Sequence, residues 1–439
     1  MKKIITNSIW LVFDKIFKIL IGLFVGVWIA RYFGPEIFGK YNFANSIIIL
    51  FSTILPLGTE AILVRELVKN KEQSHNLLSV SFYIHLISGF VFFVCSSLVI
   101  YILKSDDDLT LKIGYILSFS LLFRFMAVPR YFFESRTEYK YIIYIENFYF
   151  IILSIARIFL LINEFPILYF VFSFLFESIC SSVSIFIFYT KFHHDRITVP
   201  VNLKSIYRTI RESFPLFISA LSIILYMKID QLMIGTMIGD RETGIYSVAV
   251  RLSEFWYFLP LGISSSFYPT LIDKKNKSQI VYTELFQSLH LVLFLMSLLM
   301  AIFIQVLGED IVILLYGEPY IDSVNILKVY IWSGVFVFLG VAGSNYYLIE
   351  DKQKFILVKS ITGLTINIIL NFFWIHQFGV MGAAYATLVS QAIAASLIPC
   401  LFREIRPLFL IQINCLKIWQ WSIFLHNFLL RYQEDRRNS

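Results

Sequence analysis

Residues 4–29, IITNSIWLVFDKIFKILIGLFVGVWI, decide how the rest of the chain is read. The run is long and apolar enough to cross a bilayer, yet it holds Asp14, Lys15 and Lys18 near its middle. Residues 30–39, ARYFGPEIFG, close it with a glycine-bracketed turn. On a helix Asn7, Leu11, Asp14, Lys18 and Gly22 share one stripe, with Asp14 and Lys18 a turn apart and able to pair. A charge at the centre of a lipid-facing helix costs roughly 2.5–3.5 kcal/mol, so this stripe is expected to face a polar interior.

The whole chain supports a membrane reading: 58% of its 439 residues are hydrophobic and only 15% charged, outside the range of ordinary soluble domains. Met1-Lys2-Lys3 looks like the basic start of a signal peptide, but no small-residue cleavage site follows the long apolar run, so it reads as a retained first helix. Cys95, Cys180, Cys400 and Cys415 fall in apolar segments without metal-ligand spacing and read as small buried hydrophobes.

Working outward, apolar spans are expected at 4–29, 41–64, 77–103, 111–128, 141–162 and 167–190, and again at 214–238, 244–271, 282–307, 324–349, 355–376 and 380–402. These make about twelve helices of about 20 residues each. With the N-terminus in the cytoplasm, roughly twenty Lys and Arg fall on the inner side, and roughly five, Arg31, Lys40, Lys104, Lys112 and Arg241, on the outer. The net charge of +7 is therefore a topology signal with some attraction to anionic lipid, and nucleic acid is excluded as a partner.

An internal repeat divides the chain. Gly34, Gly39, Tyr41 and Ala44 return about 205 positions later as Gly239, Gly244, Tyr246 and Ala249, and Leu55-Pro56-Leu57-Gly58 returns as Leu259-Pro260-Leu261-Gly262. A period of six helices keeps both copies in one orientation, which predicts parallel repeats about an axis along the membrane normal and a substrate cavity between two lobes. The expected parts are an N-lobe at 1–197, a C-lobe at 198–406 after the basic connector 191–211, and a C-terminal interfacial helix with basic tail at 407–439. A thirteenth span over 408–430 would carry Arg431, Arg436 and Arg437 outside, against the charge rule.

Gly34-Pro35-Glu36-Ile37-Phe38-Gly39-Lys40 has phosphate-loop spacing, but Tyr41 stands where Ser or Thr must reach magnesium, and no strand precedes it. It is instead expected to end one helix and open the next across a short outer loop. With no nucleotide site elsewhere, no cofactor is called for, and transport is not driven by ATP hydrolysed on this chain.

What remains is charge inside the spans: Arg124, Glu146, Arg157, Glu177, Lys228, Asp230, Arg251 and Glu254 besides the first helix. Arg251 and Glu254 are a turn apart and can neutralise each other, whereas Glu146 and Arg157 are about 16 Å apart along their helix. Lys228 and Asp230 point to different sides, so each needs a partner elsewhere. Interhelical ion pairs would explain any one of these residues more easily than the whole set. An excess of cations around a cavity suits a phosphate or pyrophosphate head group, and Lys15, Lys18, Arg124, Arg157, Lys228 and Arg251 are the candidates. Asp14, Asp230 and Glu254 are coupling or ion-pair candidates. Asn42 with Asn45, and Asn367 with Asn371, have the spacing to bind sugar hydroxyls, or equally to bond neighbouring helices.

The Asn7-Ser8-Ile9-Trp10 opening, the charged first helix, residues 30–39, Lys228-Ile229-Asp230-Gln231 and Gly244-Ile245-Tyr246-Ser247 resemble the Wzx polysaccharide flippases. These belong to the multidrug/oligosaccharidyl-lipid/polysaccharide exporter superfamily, and the resemblance covers residues 1 to about 406. It implies an all-α, MATE-like fold of two six-helix lobes related by a pseudo-two-fold axis. The implied function is movement of an undecaprenyl-pyrophosphate-linked oligosaccharide repeat unit across the bacterial inner membrane, for O-antigen or capsule. It also implies membrane lipids, the polysaccharide polymerase and the chain-length machinery as partners, while cytoplasmic termini are expected from the charge distribution. Its nearest rivals are a cation-coupled multidrug exporter and a lipid II flippase of the same superfamily. A membrane glycan polymerase or ligase, an enzyme, would need a long outer loop, and every expected outer loop is short.

Overall fold

The computed structural model describes residues 2–193, 201–415 and 417, with side chains from Asp14 onward except those of residues 15, 16, 71 and 193. Apolar runs of bilayer length fold as helices because lipid leaves no other partner for their backbone polar groups. The first helices are α1 (Lys2–Ile54), α2 (Thr59–Lys69), α3 (Ser74–Lys104), α4 (Asp108–Phe119), α5 (Arg130–Ser135), α6 (Lys140–Ile162), α7 (Ile167–His193) and α8 (Leu203–Met237). They continue as α9 (Asp240–Glu254), α10 (Phe258–Lys277), α11 (Gln279–Tyr316), α12 (Ser323–Tyr330), α13 (Ser333–Ile349), α14 (Lys354–Phe378), α15 (Val380–Ala392), α16 (Ile398–Leu401) and α17 (Arg406–Asn414).

Ten helical stretches among the described residues are long and apolar enough to cross a membrane. The first, Phe17–Lys69, contains two of the expected passages, because α1 bends at Gly34 (φ 72°, ψ 174°) and resumes at Pro35. The expected outer loop is thus a single kink, where glycine accepts the positive φ and proline suits a first helical position. The expected span 244–271 is not among the ten. A 3-10 turn at Phe255–Tyr257 divides it into a 15-residue helix and a 20-residue helix ending in Asp273, Lys274, Lys275 and Lys277. The protein is a polytopic all-α membrane protein.

The contacts divide the chain into two units, residues 1–245 and 246–439. In the first, Leu63, Leu78, Phe82, Phe132, Phe133, Ile142, Ile185 and Tyr189 form a core. Helix α8, which follows the basic connector, packs along α1, and the Ser46 hydroxyl donates to Gln231 Oε1 at 2.5 Å. On the side read as outer, Asp107 caps α4 by accepting from the Thr110 amide at 3.2 Å and pairs with Lys40 at 2.9 Å. Lys104 pairs with Asp240 at 2.7 Å. Lys112 and Arg241 also have carboxylate partners, Asp108 and Glu242, so these four cations on the minority side are neutralised locally.

In the second unit Phe286, Leu289, Phe338, Tyr347, Phe355, Ile398 and Leu408 form the main core. The Asn345 amide donates to the Ser264 carbonyl at 3.0 Å, and Gln412 donates to the Ala395 carbonyl at 3.1 Å. Helix α17 buries Leu408 and Ile411 against α11 and α13, so the start of the tail is packed into protein. The rest of the expected interfacial helix, residue 416 and residues 418–430, lies outside the described residues apart from Lys417.

Candidate functional site

Five segments of the first unit line an open chamber of about 360 Å³. Lys18 reaches it from α1, Arg124 from the 3-10 segment Ser120–Ala127, Arg130 from the start of α5, Glu146 from α6, and Glu177 with Ser182 from α7. The chain can carry Arg124 and Arg130 there because the helix after α4 tightens to 3-10 geometry and then breaks at Pro129, which offers no N–H to continue the ladder.

The charges form a linked network. Lys18 donates to Glu146 at 2.9 Å and to Asp14 at 3.2 Å, and Arg130 lies 3.6 Å from the second oxygen of Glu146. Arg157, which is 2% exposed, bonds Glu177 at 2.5 Å and Ser173 at 2.9 Å and lies 3.7 Å over the Phe174 ring. Arg157 is therefore committed to the wall, and its partner is Glu177 rather than the more distant Glu146. Arg124 differs from the rest. It makes no ion pair with a described residue, and its Nε is shielded from solvent without a hydrogen-bond partner. A buried unpartnered donor of this kind is costly, which makes it the group an anion would satisfy. Arg130 lies outside the spans. Burial pulls its pKa down, but Glu146, followed by Tyr139 and Tyr131, more than offsets this and leaves it raised, so it stays charged.

Of the residues picked from sequence, Lys18, Asp14, Arg124 and Arg157 come together here. The Lys15 side chain lies outside the described residues. Lys228 and Asp230 are on α8, half-buried and buried respectively, and neither lines the chamber. Arg251 and Glu254 belong to α9 in the second unit, where Arg251 interacts with the buried Tyr316 phenol. Asn42 bonds the Phe38 carbonyl on its own helix at 2.7 Å, and Asn45 is half-buried on α1. Asn367 and Asn371 have no solvent exposure: Asn371 donates to Asn367 at 3.0 Å, and Asn367 reaches Thr387 on α15 at 3.4 Å. In this conformation the Asn367 amide is spent between helices and the Asn371 amide on Asn367, one turn away in α14.

Sequence reasoning passed over Arg130, counted as a loop charge, and gave Glu146, Glu177, Ser178, Ser181 and Ser182 no place among the candidates. The serine spacing, i, i+3 and i+4, puts all three on one face of α7 and was a usable signal. Among the described residues no group of three or more His, Cys, Asp or Glu is placed to hold a metal ion.

A family model described as "Polysaccharide biosynthesis protein" matches residues 4–274, and one described as MatE matches 215–373. A protein named probable flippase AglR, from Haloferax volcanii, is 32% identical over 190 residues, a match spanning 39% of this chain and 37% of that protein. Among solved structures, the lipid II flippase MurJ in an inward closed conformation aligns with a TM-score of 0.75 at 19% identity, over 96% of this chain and 93% of that one. An inward-facing multidrug resistance MATE family transporter aligns at 0.71 and 16%, over 92% and 96%. These likenesses establish a shared fold. With a matching model over more than half its length, the chain belongs to the polysaccharide biosynthesis protein family.

Proposed function

We propose that this protein is a flippase for a lipid-linked oligosaccharide, an undecaprenyl-pyrophosphate-linked repeat unit of O-antigen or capsule, in the bacterial inner membrane. The observation that carries the reading is Arg124, a chamber-lining guanidinium with no carboxylate partner among the described residues. Lys18 and Arg130 stand in the same wall and can turn from Glu146 toward a phosphate. Ser178, Ser181 and Ser182 add hydroxyls of the kind that bind phosphate or sugar oxygens. Family membership and the partial likeness to a probable flippase support the same reading. In it the sequence-defined lobes, 1–197 and 198–406, are the moving parts, the termini are cytoplasmic, and the polymerase and chain-length machinery receive the product.

Deletion of the gene in its host tests this. The proposal expects loss of surface glycan with accumulation of a single lipid-linked repeat unit on the cytoplasmic side. A second reading, an organic-cation exporter, draws on Glu146 and Glu177 beside Phe150 and Phe174 in the same chamber. It expects intact glycan and new sensitivity to toxic cations. Lipid II transport would instead make the gene essential for growth.

A further inference from the structure

Beside the chamber lies a second, smaller cavity of about 50 Å³, lined by Ser52, Glu60, His85, Arg124, Arg130 and Tyr131. Arg124 and Arg130 line both spaces. His85, on α3, is only 3% exposed, and its Nδ1 donates to the Ser81 carbonyl at 2.8 Å. That bond fixes the proton of the neutral ring on Nδ1 and leaves Nε2 an acceptor. Nε2 has no hydrogen-bond partner, and Arg124 Nε on the opposing segment is likewise an unpartnered donor. The Glu60 carboxylate accepts from the Tyr131 hydroxyl in the same lining.

An orphan acceptor and a carboxylate around so small a cavity, with guanidiniums in its wall, describe a site for ordered water. Water occupies about 30 Å³ in the liquid and needs two to four polar partners. Through such a water, His85 can take up a proton on Nε2. Four ionisable groups face it: Glu60 from α2, which favours the imidazolium; Arg124 from the 3-10 segment and Arg130 from α5, which oppose it; and the Tyr131 phenol from α5, which remains neutral.

We propose that His85 is a proton-binding site linked, through Arg124 and Arg130, to the anion occupancy of the larger chamber. An anion seated against these guanidiniums offsets their repulsion of a proton on His85, and by reciprocity a protonated His85 holds the anion more tightly. Loading the chamber therefore takes a proton from solvent onto Nε2, and emptying it gives the proton back. The inference rests on the anion-chamber reading above.

The test follows the protonation of His85 by nitrogen NMR in the full chain, histidine-labelled and held in lipid nanodiscs. Its signals are identified by their loss in His85→Gln. Sulfate serves as the probe because it does not titrate near neutrality. Sulfate is expected to raise the protonation midpoint by about one pH unit, tenfold in proton affinity. Arg124→Gln without sulfate is expected to raise it similarly. If Arg124→Gln moves the midpoint and sulfate does not, the proton site stands and the anion chamber falls. If Arg124→Gln leaves the midpoint unmoved, with or without an effect of sulfate, the linkage proposed here is overturned.

Discussion

Gly39 and Gly244, equivalent positions of the two recurring turns, meet backbone to backbone. A Cβ on Gly39 would fall 1.7 Å from the Asp240 carbonyl oxygen, and one on Gly244 would fall 1.9 Å from that of Pro35. The repeated glycine is thus a requirement of contact between the two copies. Gly39→Ala and Gly244→Ala are each expected to destabilise by about 1–3 kcal/mol, since neither backbone can withdraw without moving its helix. Thermal unfolding of the purified variants checks this, and midpoints equal to the wild type would count against the packing described.

The Lys40–Asp107 pair beside that contact should give a pH-dependent contribution. Burial raises the Asp107 pKa, but hydrogen bonds from Thr110 and Lys40 outweigh it and hold the carboxyl below its usual 3.8. A carboxylate depressed on folding stabilises above its unfolded pKa, and the contribution fades as pH falls through the folded value. Asp107→Asn, which retains a capping side chain, is therefore expected to lower the unfolding midpoint at pH 7. The gap from wild type should close below about pH 4. A gap that is constant with pH would remove the ionic explanation.

Arg157 and Arg124 should part company under mutation. Arg157→Ala strands the Glu177 carboxylate beside a nearly inaccessible hole and is expected to cost about 3–5 kcal/mol, seen as lost folded protein in the membrane. Arg124→Gln removes no ion pair, so membrane levels should remain near normal while glycan export falls. The opposite pattern would make Arg157 the binding group and Arg124 part of the scaffold.

The buried Asn367 and Asn371 are expected to act on stability alone. Asn367→Ala removes an acceptor of the Asn371 amide and the bonds to Thr387 and Ser390, and should cost about 1–3 kcal/mol. The composition of exported glycan should not change. A change in exported sugar with normal stability would return these amides to the substrate site.

The helices were largely legible because a bilayer imposes a length and an apolar composition that survive in any sequence. Single breaks were less so. Leu55-Pro56-Leu57-Gly58 and Leu259-Pro260-Leu261-Gly262 are the same four residue types, yet the first is a turn with Leu57 and Gly58 at positive φ and the second continues α10. The difference lies in what they touch. A Cβ on Gly58 would sit 2.6 Å from the Phe217 amide nitrogen, whereas nothing lies within 4 Å of one on Gly262. For the site, Asp14 with Lys18 could be read because one helix sets their spacing. Arg157 with Glu177, and Lys18 with Glu146, join different helices, and no local pattern records such pairings. Arg130 looked like a topology charge because a sequence shows which side of a membrane a residue favours, but not whether its side chain turns inward.

The most direct measurement is translocation in proteoliposomes holding only this protein, using an undecaprenyl-pyrophosphate oligosaccharide whose fluorescent label can be quenched from outside. The account predicts transfer well above protein-free vesicles, and a fall of at least about tenfold in Arg124→Gln, equivalent to roughly the 1.5–3 kcal/mol of one charged hydrogen bond. Transfer no faster than in empty vesicles, or equally fast in Arg124→Gln, would contradict it.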